Sequence, residues 1–304
     1  MSTVWCLGSI NMDMVATVER HPRPGETVLG QTFHAFPGGK GANQAIAAAR
    51  AEATVKMVGC VGQDAQGTEL ITLLKVNNVD VSGIVTLKDE STGTALIAVT
   101  NSGENTIIVV AGANAYAALM DDVEFAPGDI LLCQFEIPLP AVISAFKRAK
   151  QAGALIILNP SPLLKGAEEA IALADILIVN ELELATLSGV PVSAISGQEH
   201  LRMAAAALRG DSAQTIIVTL GNRGATAFTA TQNCAIKGHS VNVVDTTGAG
   251  DTFAGALAAS LALKNDWPTA MAFANAAAAL SVGRMGAASS IPKLADIQNF
   301  LKKA

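Results

Sequence analysis

From residue 130 onward the chain alternates short apolar runs with helix-patterned stretches. "ILLCQF" precedes a helical pattern over 139–152, "LIILN" one over 166–173, and "ILIVN" one over 181–188. An apolar run of this length, bounded by polar residues, is the mark of a strand buried on both faces. A helix between successive runs is the crossover that parallel strands require. The alternation therefore predicts an α/β fold with a doubly wound, mostly parallel sheet and helices on both faces. Beyond it, "TIIVTL" (215–220) leads into the turn "GNRG" and then "ATAFT", which predicts a hairpin. The alanine-rich segment 270–282 reads as a buried helix, too short to cross a membrane.

The first third breaks this rhythm. After an opening strand near 3–8, residues 27–36 and 92–110 are rich in Thr, Val, Ile and Phe and are interrupted by Gly and Asn, so they read as additional strands. Between them "GKGANQAIAAARA" starts a helix after paired glycines, and "VKMVGCVG" reads as a buried strand. The expected organisation is a single domain over 1–304 with a discontinuous β lid from about 12–37 and 90–111. Such a lid belongs over the carboxyl edge of the sheet, where ligands bind in doubly wound folds.

Composition narrows the partners. Half of the 304 residues are hydrophobic and 15% are charged, which fits a folded globular chain. A net charge of −6 argues against nucleic acid and acidic membrane surfaces. Cys6, Cys60, Cys133 and Cys234 are widely spaced with no metal-ligand pattern, so they read as buried thiols of a reducing cytoplasm. The amino terminus lacks the pattern of a signal peptide. His21, His34, His200 and His239 lie in polar or loop-like stretches, and neither G-x-S-x-G nor H-E-x-x-H occurs.

Five polar motifs fall at strand ends or helix starts: "GSINMD" (8–13), "GGKGAN" (38–43), "NELE" (180–183), "TLGNRG" (219–224) and "DTTGAGD" (245–251). In a parallel sheet these ends share one side, so the motifs are expected to converge on one cleft. In "VNVVDTTGAGDTFAGALAASLAL" (241–263) four strand-forming residues run into a small-residue turn, and Asp251 stands at the door of an alanine-rich helix. Two readings are open for it: a helix cap, or a carboxylate beside bare amides that favour an anion. Neither Walker A nor the dinucleotide fingerprint is present, since Gly41 follows Lys40 and Phe253 stands where a glycine is needed. The remaining inventory of amides, carboxylate, lysine and an Asn/Glu pair suits phosphoryl transfer.

"GGKGANQA" and "DTTGAGDTF" resemble the two sequence patterns of the ribokinase-like (PfkB) carbohydrate kinases. "PGET" (24–27), "ESTG" (90–93), "AGAN" (111–114) and "NPSP" (159–162) fall in the family's order, and the likeness spans essentially the whole chain. The resemblance implies an ATP-dependent sugar kinase that phosphorylates the primary hydroxyl of D-ribose to give D-ribose 5-phosphate. Asp251 would be the general base, and Gly248, Ala249 and Gly250 would contribute amides of an anion hole. Asn11, Asp13, Gly39, Lys40, Asn43 and Glu136 would bind the sugar. Asn180, Thr219, Gly221, Gly224, Gly250 and Asn275 would meet ATP, and Glu183 would reach Mg²⁺ through water.

The same likeness implies a K⁺ site at Asp245, Thr247, Ser281, Arg284, Gly286 and Ser290, and a homodimer joined through the lid. Three alternatives stand beside this reading. The first is a kinase of the same family for 2-deoxyribose, a ribonucleoside or a fructose-type sugar, and the second is a sugar-binding regulator without catalysis. The third, an NAD-dependent oxidoreductase, lacks its glycine fingerprint.

Overall fold

The computed structural model describes residues 2–195, 197–210 and 212–303. In chain order the strands are β1 (Thr3–Leu7), β2 (Asn11–Val18), β3 (Gly30–Gly38), β4 (Thr54–Gly62), β5 (Val79–Leu87), β6 (Gly93–Thr100) and β7 (Asn105–Val110). They continue with β8 (Ile130–Gln134), β9 (Leu155–Asn159), β10 (Ile176–Asn180), β11 (Thr215–Thr219), β12 (Gly224–Phe228) and β13 (Asn233–Lys237). The main sheet runs β13-β12-β11-β10-β9-β8-β1-β4-β5. From β11 to β5 every pairing is parallel, and β12 and β13 extend the sheet as an antiparallel pair, so the hairpin expected after 215–220 is present.

The apolar runs explain why the sheet is covered twice. Along β8, Ile130 and Leu132 join one core, with Val4, Cys6 and Ile157, while Leu131 and Cys133 join the other, with Leu7, Ile156 and Leu158. Successive side chains of a strand point to opposite faces, so an unbroken apolar run needs helices on both. Cys6, Cys60 and Cys133 are buried thiols, Cys234 is half-buried, and all four are free. No helix among the described residues is long and apolar enough to cross a membrane.

The chain leaves β1 toward β4 and β5 on one side and later places β8 on the other. The strand order therefore reverses at β1, and a crevice opens outside the carboxyl ends at such a reversal. Each apolar run from β8 to β11 ends there in a polar residue: Gln134, Asn159, Asn180 and Thr219. Gln134 sits opposite Asn159 in the register, and Asn180 opposite Thr219. The carboxyl edge is thus lined with amides and a hydroxyl.

A second sheet, β3-β2-β6-β7, rises from the same edge. Its two antiparallel pairs come from the two segments that break the βαβ rhythm, and β2 and β6 join them in parallel. One expected strand is absent. Residues 241–246 lie outside helix and strand, because the backbone N–H groups of Val244 and Asp245 donate to the carbonyl of Val282 rather than to the sheet. Strand propensity yields to tertiary context here, and the segment leads directly into the turn at Gly248.

Helices Lys40–Arg50 and Ala249–Ala262 lie against each other, both rich in small residues. At Gly255 a Cβ would come within 2.3 Å of the Gln44 carbonyl oxygen and 2.6 Å of the Ala47 Cβ. Glycine here sets how closely the two helix starts approach. Gly255→Ala is expected to lower stability by about 1–3 kcal/mol through overpacking. Urea unfolding checks this; an unchanged midpoint would show that the helices separate without loss.

Candidate active site

The cleft forms where the two helices begin. Helix Ala249–Ala262 starts at Gly248, which takes a left-handed conformation with φ 75°, and no side chain caps it. The first amides of a helix have no intrahelical acceptor, so this end presents donors to the cleft; the Ala249 N–H, expected among them, instead donates to the Thr246 carbonyl at 3.3 Å and closes the turn. Asp251 lies in the first turn and is buried, yet it does not serve as the cap. Its Oδ2 accepts from Asn43 Nδ2 at 3.0 Å, and its Oδ1 accepts from Gln44 Nε2 at 3.0 Å. The cap reading of Asp251 is thereby excluded.

The other helix start is built differently. Gly39 has φ 86°, and a Cβ there would lie 2.7 Å from the Asn11 nitrogen, so only glycine lets the "GGKGAN" loop approach β2 so closely. Its first amide, that of Lys40, donates to Glu136 Oε2 at 3.1 Å, and Ser9 Oγ donates to the same oxygen at 2.5 Å. Glu136 thus pins two loops with one oxygen. Asn114 Oδ1 accepts from the Ile10 N–H at 2.9 Å, and Asn114 Nδ2 donates to Asn11 Oδ1 at 2.6 Å. A backbone N–H is an unambiguous donor, so this chain of bonds leaves the Asn11 amide nitrogen free of that contact.

Charge is balanced around Lys40. Burial drives Asp251 above the ordinary carboxylate range, opposed chiefly by the Lys40 ammonium and then by the bonds from Asn43 and Gln44. The helix end therefore does not set the charge of Asp251 alone. Lys40 is held protonated by Asp251 first, against its own burial, and further by Glu136, Glu183 and Asp13. Burial, followed by Glu136 and Asp251, pushes Asp13 up to about 6.

Asn180 and Glu183 form a reciprocal capping box: Asn180 Oδ1 accepts from the Glu183 N–H at 2.8 Å, and Glu183 Oε2 accepts from the Asn180 N–H at 2.9 Å. Both residues also line a cavity of about 150 Å³ with Lys40, Ser161, Thr219, Gly248, Gly250 and Asp251. Thr219 and Gly250 are shared with a larger cavity of about 630 Å³, whose walls include Gly221, Gly224 and Asn275. Asn275 donates Nδ2 to the Lys237 carbonyl at 2.9 Å. His239, Ala278, Ala279 and Val282, which lie outside the motifs, also line that larger cavity.

Behind the Asp251 loop, Asp245 Oδ1 accepts from the Thr247 N–H at 2.9 Å and from Thr247 Oγ1 at 2.7 Å, and Oδ2 accepts from the Gly286 N–H at 2.9 Å. Asp245, Thr247 and Gly286 are therefore together. Ser281 and Ser290 hydroxyls donate to carbonyls of their own helices, at Ala278 and Ala287. Arg284 is exposed; burial first, and then the nearby Arg284 charge, lowers the pKa of Arg50.

The fold and the paired cavities are those of an α/β phosphotransferase, with a small polar pocket beside a larger nucleotide-sized one. Residues 1–294 match the model of the pfkB family carbohydrate kinases, and the chain belongs to that family. It is 38% identical to a ribokinase of Haemophilus influenzae over 99% of both chains. It is 34% identical to a deoxyribokinase of Salmonella typhi, over 97% of each. Ribokinase of Arabidopsis thaliana, solved with ribose and ATP, superimposes with a TM-score of 0.90 at 32% identity, covering 99% of this chain and 98% of that one.

Missing from the motif-based assignment were Ser9, Gln44, Asn114 and Gln134. A signal existed for Gln44: it is a second amide directly after Asn43, at the head of an alanine-rich stretch. The raised pKa of Asp13 carries a sign that can be measured. With a folded value of about 6 against an ordinary 3.8, the folded chain binds more protons than the unfolded one between those values, so stability falls as pH rises through that window. Asp13→Asn removes this dependence. Without sugar, its urea midpoint relative to the unsubstituted protein is expected to climb between about pH 4 and 6 and to level off above. A difference flat with pH would refute the assignment.

Proposed function

We propose that this chain is an ATP-dependent kinase that transfers the γ-phosphoryl group of ATP to the primary hydroxyl of D-ribose, giving D-ribose 5-phosphate and ADP. The observation that carries this reading is Asp251, buried, held through both oxygens, and seated on an uncapped helix start that borders both cavities. The ribokinase relatives support ribose as the substrate. Asp251 takes the hydroxyl proton as the sugar oxygen attacks the γ-phosphorus and the bond to the bridging oxygen of ADP breaks. Amides of Gly248, Gly250 and Asp251 receive the charge that develops on the transferred group, while that of Ala249 closes the turn onto the Thr246 carbonyl. Lys40 balances the surrounding carboxylates and reaches toward the phosphates.

Sugar hydroxyls go to Asn11, Asp13, Asn43, Glu136 and the Gly39–Lys40 turn. The two acids accept from vicinal hydroxyls and the amides complement them. ATP lies in the larger cavity against Thr219, Gly221, Gly224 and Asn275, with its phosphates toward Asn180 and Gly250. Glu183 suits Mg²⁺: it lines the smaller cavity, and its capping bond occupies Oε2 and leaves Oε1 outside that bond, an oxygen donor of the kind Mg²⁺ takes through water. When bound, the metal screens the phosphate charge.

For K⁺ the donor set is oxygen-rich. Both Asp245 oxygens already accept hydrogen bonds, so the carboxylate shapes the loop and the carbonyls around Thr247 and Arg284, with the Ser281 and Ser290 hydroxyls, would hold the ion. Free thiols fit a reducing cytoplasm.

The second sheet acts as a lid over the sugar. It also exposes Phe33, Leu96 and Ile107 to Val110, an apolar surface on a sheet with open edges. A second copy of this sheet is the natural cover, which makes the protein a homodimer. Light scattering at micromolar concentration should give twice the mass of one chain, and Ile108→Asp should return it to one; a monomer before substitution rejects the dimer.

The deoxyribokinase relative favours one competing reading, 2-deoxyribose as the substrate. ATP turnover with Mg²⁺ across ribose, 2-deoxyribose, fructose and ribonucleosides decides between them. Ribose should give the highest kcat/KM, Asp251→Asn should lose at least about a hundredfold, and K⁺ should raise the rate over Na⁺ and choline. If 2-deoxyribose wins and Asp251→Asn still collapses, the chemistry stands and the sugar changes. Turnover that survives in Asp251→Asn rejects the mechanism.

A further inference from the structure

Gln44 has no side-chain exposure, sits in an alanine-rich helix, and is not among the groups that meet sugar or nucleotide. A side chain that only filled this space would be apolar, since a buried amide must have its bonds satisfied. The Asp251 carboxylate only accepts, so the Gln44 nitrogen faces it at 3.0 Å. The second hydrogen of that nitrogen points to Asn159 Oδ1 at 3.5 Å, and Asn159 in turn donates to the Ile178 carbonyl at 2.9 Å. The Gln44 oxygen must then accept, and Gln134 Nε2 donates to it at 2.7 Å.

Gln134 is the last residue of β8 and is fully buried, and its own oxygen finds no protein partner among the described residues. A Cβ on Gly8 would lie 2.0 Å from that oxygen and 2.9 Å from the Gly41 Cα, so the glycine of "GSINMD" leaves room for Gln134 beside a backbone that cannot give way. A buried amide with an unmet acceptor is retained against its desolvation penalty. Packing does not account for it, whereas a link from the carboxyl edge of the sheet to Asp251 does.

We propose that Gln44, anchored by Gln134, is a positioning residue for phosphoryl transfer: it fixes the plane of the Asp251 carboxylate and donates to its charged form. The inference rests on Asp251 being the base. Asn43 holds one carboxylate oxygen and Gln44 the other, so neither oxygen can rotate away from the hydroxyl it deprotonates. A donor to the charged form also opposes the upward drive of burial on this acid. The charged groups facing Asp251 are Lys40 on the neighbouring helix, Glu136 after β8 and Asp13 on β2, with Glu183 beyond Lys40. Those groups are untouched by substitutions at Gln44 or Gln134, and Asp13 acts on sugar binding, so kcat at saturating ribose isolates Asp251.

The test is the pH profile of kcat at saturating ribose and MgATP for Gln44→Met, Gln134→Met and Asp251→Asn beside the unsubstituted enzyme. Gln44→Met is expected to lose roughly ten- to a hundredfold in kcat at pH 7, the worth of a hydrogen bond to a charged group. KM for ribose should stay within about threefold. The acid limb should move up by roughly one pH unit, so that part of the loss is recovered at about pH 9. Gln134→Met, which leaves Gln44 and Asp251 in place, should shift the limb the same way by less, and it carries the test if Gln44→Met does not fold.

An acid limb left in place in both Met variants, or a loss confined to KM, overturns the proposal while an inactive Asp251→Asn keeps the base. An active Asp251→Asn overturns both.

Discussion

The site depends on how closely two helix starts from opposite ends of the chain can approach. Lys40–Arg50 brings Asn43 and Gln44, and Ala249–Ala262 brings Asp251; their bonds form only if the backbones nearly touch. Glycine at 255 permits that contact against the Gln44 carbonyl, and Ala47 beside it keeps the facing surface small. Close packing of small residues is a steric condition, but its product is electrostatic. It places the open amides of one helix end and the carboxylate beside them at the reversal point of the sheet.

Once the carboxylates are collected there, their mutual repulsion has to be met. Asp13, Glu136, Glu183 and Asp251 all act on Lys40, which is kept charged by them despite its burial. Three of the four are also tied, each by a different device. Glu136 spends one oxygen on Ser9 and the Lys40 amide, Glu183 one on a helix cap, and Asp251 both on amides. Asp13 has the least support of this kind and is the acid pushed to about 6. Rigid acids and one shared cation leave a pocket whose charges are arranged before any ligand arrives.

Three stretches differ in what their local sequence could reveal. Asn180 and Glu183 satisfy each other three residues apart, so the capping pattern visible in "NELE" is real, and the cavity beside it is additional. Asp251 looks from the sequence like a cap as well, yet Gly248 takes that position and the carboxylate turns away to another helix. The valines at 241–244 carry strand propensity, but the amides of Val244 and Asp245 go to Val282 and no strand forms. A window of ten residues holds propensity and spacing; it does not hold the partner two hundred residues away.

What the sequence by itself determined is the part governed by local period and composition: the βαβ alternation, the polar residue that ends each buried run, the glycine turns, and the two family motifs that bracket the chain. These follow from strand and helix geometry acting over neighbouring residues. The tertiary structure alone decided which amides serve Asp251, why Gly8 and Gly255 cannot be larger, and how two cavities meet at Thr219 and Gly250. Those depend on distances between segments far apart in the chain, and such distances exist only after the sheet has closed and the helices have packed.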